Sequence, residues 1–553
     1  MHFIESHGGK QAFTGLRSTT TSVCNRFLKP ATVDKQASYC VAFKDDPTRS
    51  GHINQATAFV SHAWGHDFLD VVAALEDYDS RQPTPTVFWF DIFSNNQHKA
   101  PDREFSWWQT VFRDNIGKLK RTLLVLEWDD PKPLSRAWCL WEMVSTVNTG
   151  SEFHVLMSRK NHESFATALV KNLDGIVFKT CNVDLRSAQA FNQSDRDNIF
   201  KAVETTSGFD EVNKVVIGIM GKWMVESGKE AISGLSDEER AISTLQGNLA
   251  RFLYRQRKLD EAESLYGKAL ELKRRILGNT HPDTLSNINN LGLLLKHQGK
   301  LDEAEPLVRE ALEGLRRTHG DNDRNTLASL ANLASLIQAQ GKLDEAEPLF
   351  REALKEFRRT LGDTNPDTLT SIDNLAMLLQ AQGKLDGAEP LYRKALTGRR
   401  RALGDSHPDT LTSINNLGLL LKEQGKLDDA EPLMQKALEG RRRTLGDTHP
   451  DTLISICSLG MLLQDQGKLN EAEPLLREDL EGSRRTLGNT HPNTLISVYN
   501  LALLFEAQGK LSEAEPLYRE AVSGARQTLG DKHPNTLIMQ KNLDLLLQKM
   551  GKV

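Results

Sequence analysis

Cysteine is scarce: Cys24, Cys40, Cys139, Cys181 and Cys457 are the only five in 553 residues. They show neither CxxC spacing nor the density of a disulfide-stapled domain, so free thiols in a reducing, cytoplasmic setting are expected. No stretch approaches the roughly 18 uninterrupted apolar residues that a membrane span requires. The opening MHFIESHGGKQAFTGLR lacks the continuous apolar segment of a signal peptide. Charge of one sign is missing too: 69 Lys and Arg stand against 74 Asp and Glu, a formal net charge of -5. That balance gives no general attraction to nucleic acid or an anionic membrane. The absence of a Walker loop argues against ATP-driven switching. A last absence divides the chain, because none of its eight tryptophans lies beyond Trp223. A chain of this length needs more than one hydrophobic core. Two parts of different architecture are expected, joined near residues 226–242.

The second part is periodic. The glycine of a GKL motif falls at 299, 341, 383, 425, 467 and 509, each step being 42 residues. A less regular copy opens at Arg257. A fixed period of this size signals stacked helical repeats. Helix A is expected from about Asp283 to His297, with Leu285, Ile288, Leu291, Leu294 and Leu295 on one face. Pro282 belongs near its first position, and Gly299 can end it in the left-handed conformation. Helix B is expected to open on Asp302 as cap with Glu305 three residues on, which places Pro306 in the first turn. Arginine runs such as Arg441 to Arg443 close helix B, where positive charge complements the dipole. Seven helix pairs are expected from about Ser243 to Gln527, and then a last helix, Asn535 to Lys549.

These residues resemble the tetratricopeptide repeat, with small residues where that family places them: Gly292, Ala304 and Ala311, or Ala376, Ala388 and Ala395. The 42-residue period with HPDTL resembles the kinesin light chain variety, which implies a cargo adaptor as one alternative. The heptad coiled coil by which kinesin light chains bind the motor has no counterpart in this sequence. The resemblance implies a groove for a peptide or partner protein, lined by the first helices. One helix-A position recurs along it as Asn290, Asn332, Asn374, Asn416, Asn500 and Asn542, with Asn248 and Ser458 completing the row. An amide offers donor and acceptor to an extended peptide backbone; equally, it can tie adjacent repeats together. The row Leu293, Ser335, Met377, Leu419, Met461, Leu503 and Leu545 would supply adaptable apolar pockets beside it.

The first part alternates strand and helix. TAFVSHAW, TVFWFDIF, TLLVLEW and FHVLM read as strands separated by helical stretches, which argues for a parallel, doubly wound sheet. Its working crevice lies at the carboxyl ends of the strands, where Ser61, His62, Trp64 and Asp91 collect with the helix holding Glu142. FVSHAWGHD followed by Trp138-Cys139-Leu140-Trp141-Glu142 resembles the Toll/interleukin-1 receptor (TIR) fold and its W-x-x-x-E spacing. In NAD-cleaving members that glutamate is catalytic, so the resemblance implies Glu142 as the acid. NAD becomes the alternative substrate, with Ser61, Trp64 and Asp91 around it. A carboxylate there would stabilise the positive charge that develops on the ribose as the nicotinamide leaves. Glu142 on a packed helix with Trp138 and Trp141 in the core is the structural alternative. The loop IFSNNQHKAPDREF lacks the family's glycine, although the resemblance implies self-association through this domain.

His62 and His66 have the i, i+4 spacing of two metal ligands but no third, so no metal is expected. Cys139, among apolar neighbours, reads as a packed thiol. The chain thus divides into an extension (1–54), a TIR- or flavodoxin-like α/β domain (55–180), a helical bridge and linker (181–242) and a repeat superhelix (243–553). Two functions stay open: an interaction adaptor whose repeats bind a partner while the first domain signals, or an NAD glycohydrolase regulated by the repeats.

Overall fold

The structure, a computed structural model, describes residues 4, 10–13, 19–43, 45, 55–94, 105–181, 183–190, 193–206, 208–256, 258–531 and 533–552. At 92, 105–109, 111, 112 and 210 only the backbone is described. Most of the loop without glycine, residues 95–104, and Arg257 lie outside these. The chain falls into two compact units, Met1–Ile276 and Leu277–Val553.

The first unit is built on four parallel strands in the order β2-β1-β3-β4: β1 Ala58–Ser61, β2 Phe88–Trp89, β3 Arg121–Val125 and β4 Glu152–Leu156. Its longer helices before the repeats are α1 Phe68–Ser80, α2 Phe105–Leu119, α3 Ala137–Asn148, α4 Arg159–Cys181, α5 Gln193–Thr205 and α6 Phe209–Ser233, followed by the short α7 Asp237–Ile242. Every residue of β1 is buried, as expected of a strand covered on both faces. One core gathers Val60, Leu123, Phe68 and Val71 with Phe13, Val23, Leu28 and Tyr39, so segments from residues 1–54 pack into the domain itself. The other gathers Leu124, Leu140, Met143 and Val144 with Val212, Val216 and Met220 of α6. Helix α4 is interrupted at Asn172, whose Oδ1 accepts from the Gly175 N–H at 3.0 Å and so caps the second segment.

The polar stretch 226–242 is mostly helical. Between α6 and α7 only Gly234 to Ser236 intervene, and Ser236 and Glu239 form a reciprocal capping box. The first repeat-like pair, Leu245–Arg255 and Leu259–Ile276, belongs to this unit. Arg251 reaches Asp174 at 2.6 Å and Lys229 reaches Glu261 at 2.9 Å, tying that pair to α4 and α6.

The second unit is six helix pairs and a final helix, Pro534–Lys549. The first pair, Pro282–His297 and Leu301–His319, shows the pattern. His281 caps helix A through Nδ1, which accepts from the Asp283 N–H at 3.2 Å. Gly299, at φ +78°, closes the helix in a Schellman turn, with Lys300 N–H on Leu295 O at 2.9 Å and Gly299 N–H on Lys296 O at 3.0 Å. That turn corrects the expectation for helix B. The chain enters helix B at Leu301, so Lys300 holds the cap position with no side-chain bond, and Asp302 is not the cap. Pro306 is consequently the sixth helical residue rather than part of the first turn. Glu305, freed from capping, binds Arg309 at 2.8 Å and Gln340 of the next repeat at 2.8 Å. Small residues permit the close packing: a Cβ on Gly292 would lie 2.5 Å from Val308 Cγ2, and Ala304 and Ala311 are fully buried. Among the described residues no helix is long and apolar enough to cross a membrane, and all five cysteines are free.

Candidate functional site

In the first unit the sheet delivers side chains to the carboxyl ends of its strands. Ser61 ends β1 and is followed by His62, Asp91 opens a short helix after β2, and Cys139 and Glu142 sit in the first half of α3. Trp64 Nε1 donates to Asp91 Oδ2 at 2.7 Å, His62 Nδ1 lies 3.9 Å from Asp91 Oδ1, and Cys139 donates to the His62 carbonyl at 3.5 Å. Burial pushes the Glu142 carboxyl up to about 8; Ser61 opposes the shift and the Asp91 charge adds to it. Ser61 Oγ nevertheless makes no hydrogen bond of ordinary geometry, so its pull on the carboxylate is a close approach rather than a formed bond. Ser61, Trp64, Asp91 and Glu142 therefore share one cluster. Glu142 is 7% exposed, and within this enclosure it is a neutral acid at pH 7.

The histidines are neutral as well. Burial lowers His62 to about 3, helped by His66, and lowers His66 to about 4, helped by Lys132. Among the described residues no three His, Cys, Asp or Glu side chains are placed to hold a metal. Burial, and then the Glu142 charge, hold the Cys139 thiol well above its usual range, which suits a packed thiol. Asp67 is spent as the N-cap of α1, accepting from Leu69 and Asp70.

Among the described residues, several buried polar atoms here have no partner: Thr20 Oγ1, Ser61 Oγ, His62 Nε2 and both ring nitrogens of His66. Each such atom costs about 1–3 kcal/mol unless something polar meets it. Thr20 reaches the site because its N–H and that of Thr21 bind the carbonyls of His66 and Trp64, both at 3.1 Å. Sequence reasoning missed this clamp. Residues 19–21 carry no periodicity or motif that would connect them to a turn more than forty residues away.

In the second unit the recurrent asparagines divide. Asn332 Nδ2 binds Asn289 Oδ1 at 3.3 Å, Asn500 Nδ2 binds Cys457 Sγ at 3.1 Å, and Asn542 Nδ2 binds the Tyr499 hydroxyl, each reaching one repeat back. Asn290, Asn374 and Asn416 make no such bond, and Met377, three residues after Asn374, is 48% exposed. Glutamates at the Glu305 position join the repeats. Glu347 pairs with Lys384 and Glu389 with Lys426, both at 2.8 Å, and Glu473 pairs with Lys510 at 3.0 Å. Hydrogen bonds from these lysines, or for Glu473 first from Gln508, hold all three carboxyls down at about 2. The arginine runs do more than face the helix dipole. Arg442 reaches Glu478 at 2.6 Å, while Arg441 is buried and bonds Ser455 Oγ at 2.8 Å and Thr412 Oγ1 at 3.0 Å.

Comparison with known proteins places the repeats. The tetratricopeptide repeat profile matches six overlapping windows, 241–317, 285–354, 325–401, 371–442, 409–481 and 456–527. A nucleotide-binding leucine-rich repeat (NLR)-like protein of Hyaloscypha variabilis is 42% identical over 53 residues, covering 10% of this chain and 5% of that protein. Repeats from Podosopora anserina, described as kinesin light chain nearly identical TPR-like repeats, are 27% identical over 37% of this chain and 96% of theirs, with a TM-score of 0.33. The quorum sensor NprR from B. thuringiensis is 15% identical over 66% of this chain and 97% of its own, with a TM-score of 0.44. Repeats of this kind bind peptide or protein partners, and the architecture is consistent with an interaction adaptor or scaffold. The windows run without a break across more than half of the sequence: the chain belongs to the tetratricopeptide repeat family.

Proposed function

We propose that the protein is an interaction adaptor whose repeat groove takes an extended peptide of a partner at its middle, around Asn374 and Asn416. The observation that carries this is the division of the asparagine row. Where Asn332, Asn500 and Asn542 reach back to the preceding repeat, Asn374 and Asn416 keep amides for a ligand, and Met377 stands exposed beside them. An amide suits a peptide backbone whatever its side chains, and a methionine adapts to varied apolar ones. The first domain, read as TIR-like from its parallel sheet and W-x-x-x-E spacing, serves signalling and self-association in this reading. The test is Asn374→Ala with Asn416→Ala, measured against a partner captured by the wild type. Each lost contact costs about 1 kcal/mol, so binding should fall roughly tenfold or more with an unchanged melting temperature. A large fall in melting temperature with binding retained would sink the groove.

The crevice favours a second reading, NAD cleavage with Glu142 as the acid. The orphaned atoms of Thr20, Ser61, His62 and His66 supply groups that a polar ligand could satisfy, and Trp64 is positioned by Asp91. Glu142 must ionise to stabilise a cationic ribose, and the positive nicotinamide ring of a bound substrate would favour that ionisation. Nicotinamide release should then rise with pH through about 8 and vanish in Glu142→Gln. Release that is unchanged in that variant removes Glu142 from the chemistry.

A further inference from the structure

The outer edge of β4 is an open strand position. Glu152 N–H binds Lys120 O and Leu126 N–H binds Leu156 O, both at 2.9 Å, with Arg121 level with Glu152 and Val125 with Leu156. In a parallel ladder this register turns the backbone groups of residues 152, 154 and 156 towards β3. Those of Phe153 and Val155 point away, two donors and two acceptors at the end of the sheet. A doubly wound sheet could add a fifth strand there, but among the described residues none takes that place. The extended residue Gln189 pairs instead with the Ser135–Ala137 segment, through N–H···O bonds of 2.8 and 2.9 Å.

A cavity of about 720 Å³ runs along this edge, within the first unit. Its two walls differ. Phe153 and Val155 share one side with Ile219 and Trp223 of α6, an apolar wall. Glu152 and His154 face the other side, where His154 lies 6.0 Å from the Tyr78 ring. Three cations, Arg81, Arg121 and Lys222, are matched in the lining by three carboxylates, Glu152, Glu226 and Glu230. The cleft is electrically balanced, so it does not select an occupant by net charge.

We infer that this cleft takes an extended segment of a partner protein as a fifth strand. That segment would be chosen by its alternation rather than its charge, with apolar side chains at alternate positions over Ile219 and Trp223 and polar ones over His154 and Tyr78. The backbone groups of Phe153 and Val155 supply the hydrogen bonds, and the two walls supply selection by side-chain alternation. Unpaired edges usually require protection, and a dedicated strand is one form of it. This site lies apart from the repeat groove and does not depend on it.

The test uses the full chain and a phage-displayed library of random heptapeptides. Val155→Pro removes an outward N–H while leaving every bond to β3, and Trp223→Ala removes the largest side chain of the apolar wall without changing the strand's sequence. Enriched peptides should alternate apolar and polar residues and bind each variant at least tenfold more weakly, with the circular dichroism spectrum unchanged. A library yielding only peptides insensitive to both variants, including those lost with Asn374→Ala and Asn416→Ala, overturns the inference. A sedimenting dimer that Val155→Pro dissolves would assign the edge to a second copy of this chain and overturn it equally.

Discussion

Glu142 of the first unit and the glutamates shared between repeats in the second hold their carboxyls in opposite ways. In the first, Glu142 is enclosed with Asp91 nearby and, among the described residues, no cation paired to it, and burial holds it neutral. In the second, Glu347, Glu389 and Glu473 sit on ledges between repeats, where lysine, arginine and glutamine side chains hold them ionised far into acid. A buried acid without a cation stores a cost that a ligand can relieve, the usual physical state of a reactive or binding group. A partly buried acid shared between successive repeats links one to the next. The difference separates an acid that burial keeps protonated from acids that cations and amides keep ionised.

The largest effect should come from the scaffold's core. Phe350 is 1% exposed inside helix Leu343–Leu361, and Phe350→Ala should cost about 3–5 kcal/mol. Denaturant unfolding followed by circular dichroism measures it, and the tryptophan signal, which comes from the first unit alone, should move far less. Equal movement of both signals would mean that the units do not melt separately.

Acid should act next. A carboxyl held low in the folded state stabilises fully above its unfolded pKa and loses that contribution as pH falls through the folded value. For Glu347, Glu389 and Glu473 the window runs from about 4.5 down to about 2, so the repeats should weaken across it. In Glu389→Gln the dependence should be shallower, with a smaller change at neutral pH, because exposed ion pairs contribute about 1 kcal/mol or less. An acid transition of unchanged slope in that variant would show that these carboxylates do not set it.

Legibility in the sequence depended on period and distance. The 42-residue step made the repeats plain, because each buried leucine, small residue and terminating glycine recurs. The parallel sheet was legible from short runs such as Ala58 to Val60, and the grouping of Ser61, Trp64, Asp91 and Glu142 from their places after those runs. The start of helix B was misjudged because Asp302 and Glu305 fit a capping pattern, yet the Schellman turn at Gly299 already fixes where that helix begins. Hydrogen bonds made one repeat away, such as Asn332 to Asn289, leave no local signature, so the division of the asparagine row could not be read in advance. Nor could the clamp of residues 19–21 on the turn holding His66, which exists only once the chain has folded.

The contrast between the units is tested most directly between about pH 6.5 and pH 8. In that window the folded first unit gives up the Glu142 proton that the unfolded chain has already lost, and the end of the His62 and His66 titration in the unfolded chain offsets about half of the effect, so its stability should fall by about 1 kcal/mol. Below it the sign reverses. His62 and His66 stay neutral in the fold and bind protons when unfolded, two against the one on Glu142, so stability should rise with pH from about 4.5 to 6.5. The measurement is thermal unfolding followed by tryptophan fluorescence, in wild type and Glu142→Gln, beside the helical signal of the repeats. The account predicts a wild-type melting temperature that peaks near pH 6.5 and drops by pH 8, a variant without that drop, and repeats that do not respond. A wild-type first unit equally stable at both pH values, or a variant that keeps the drop, would contradict it.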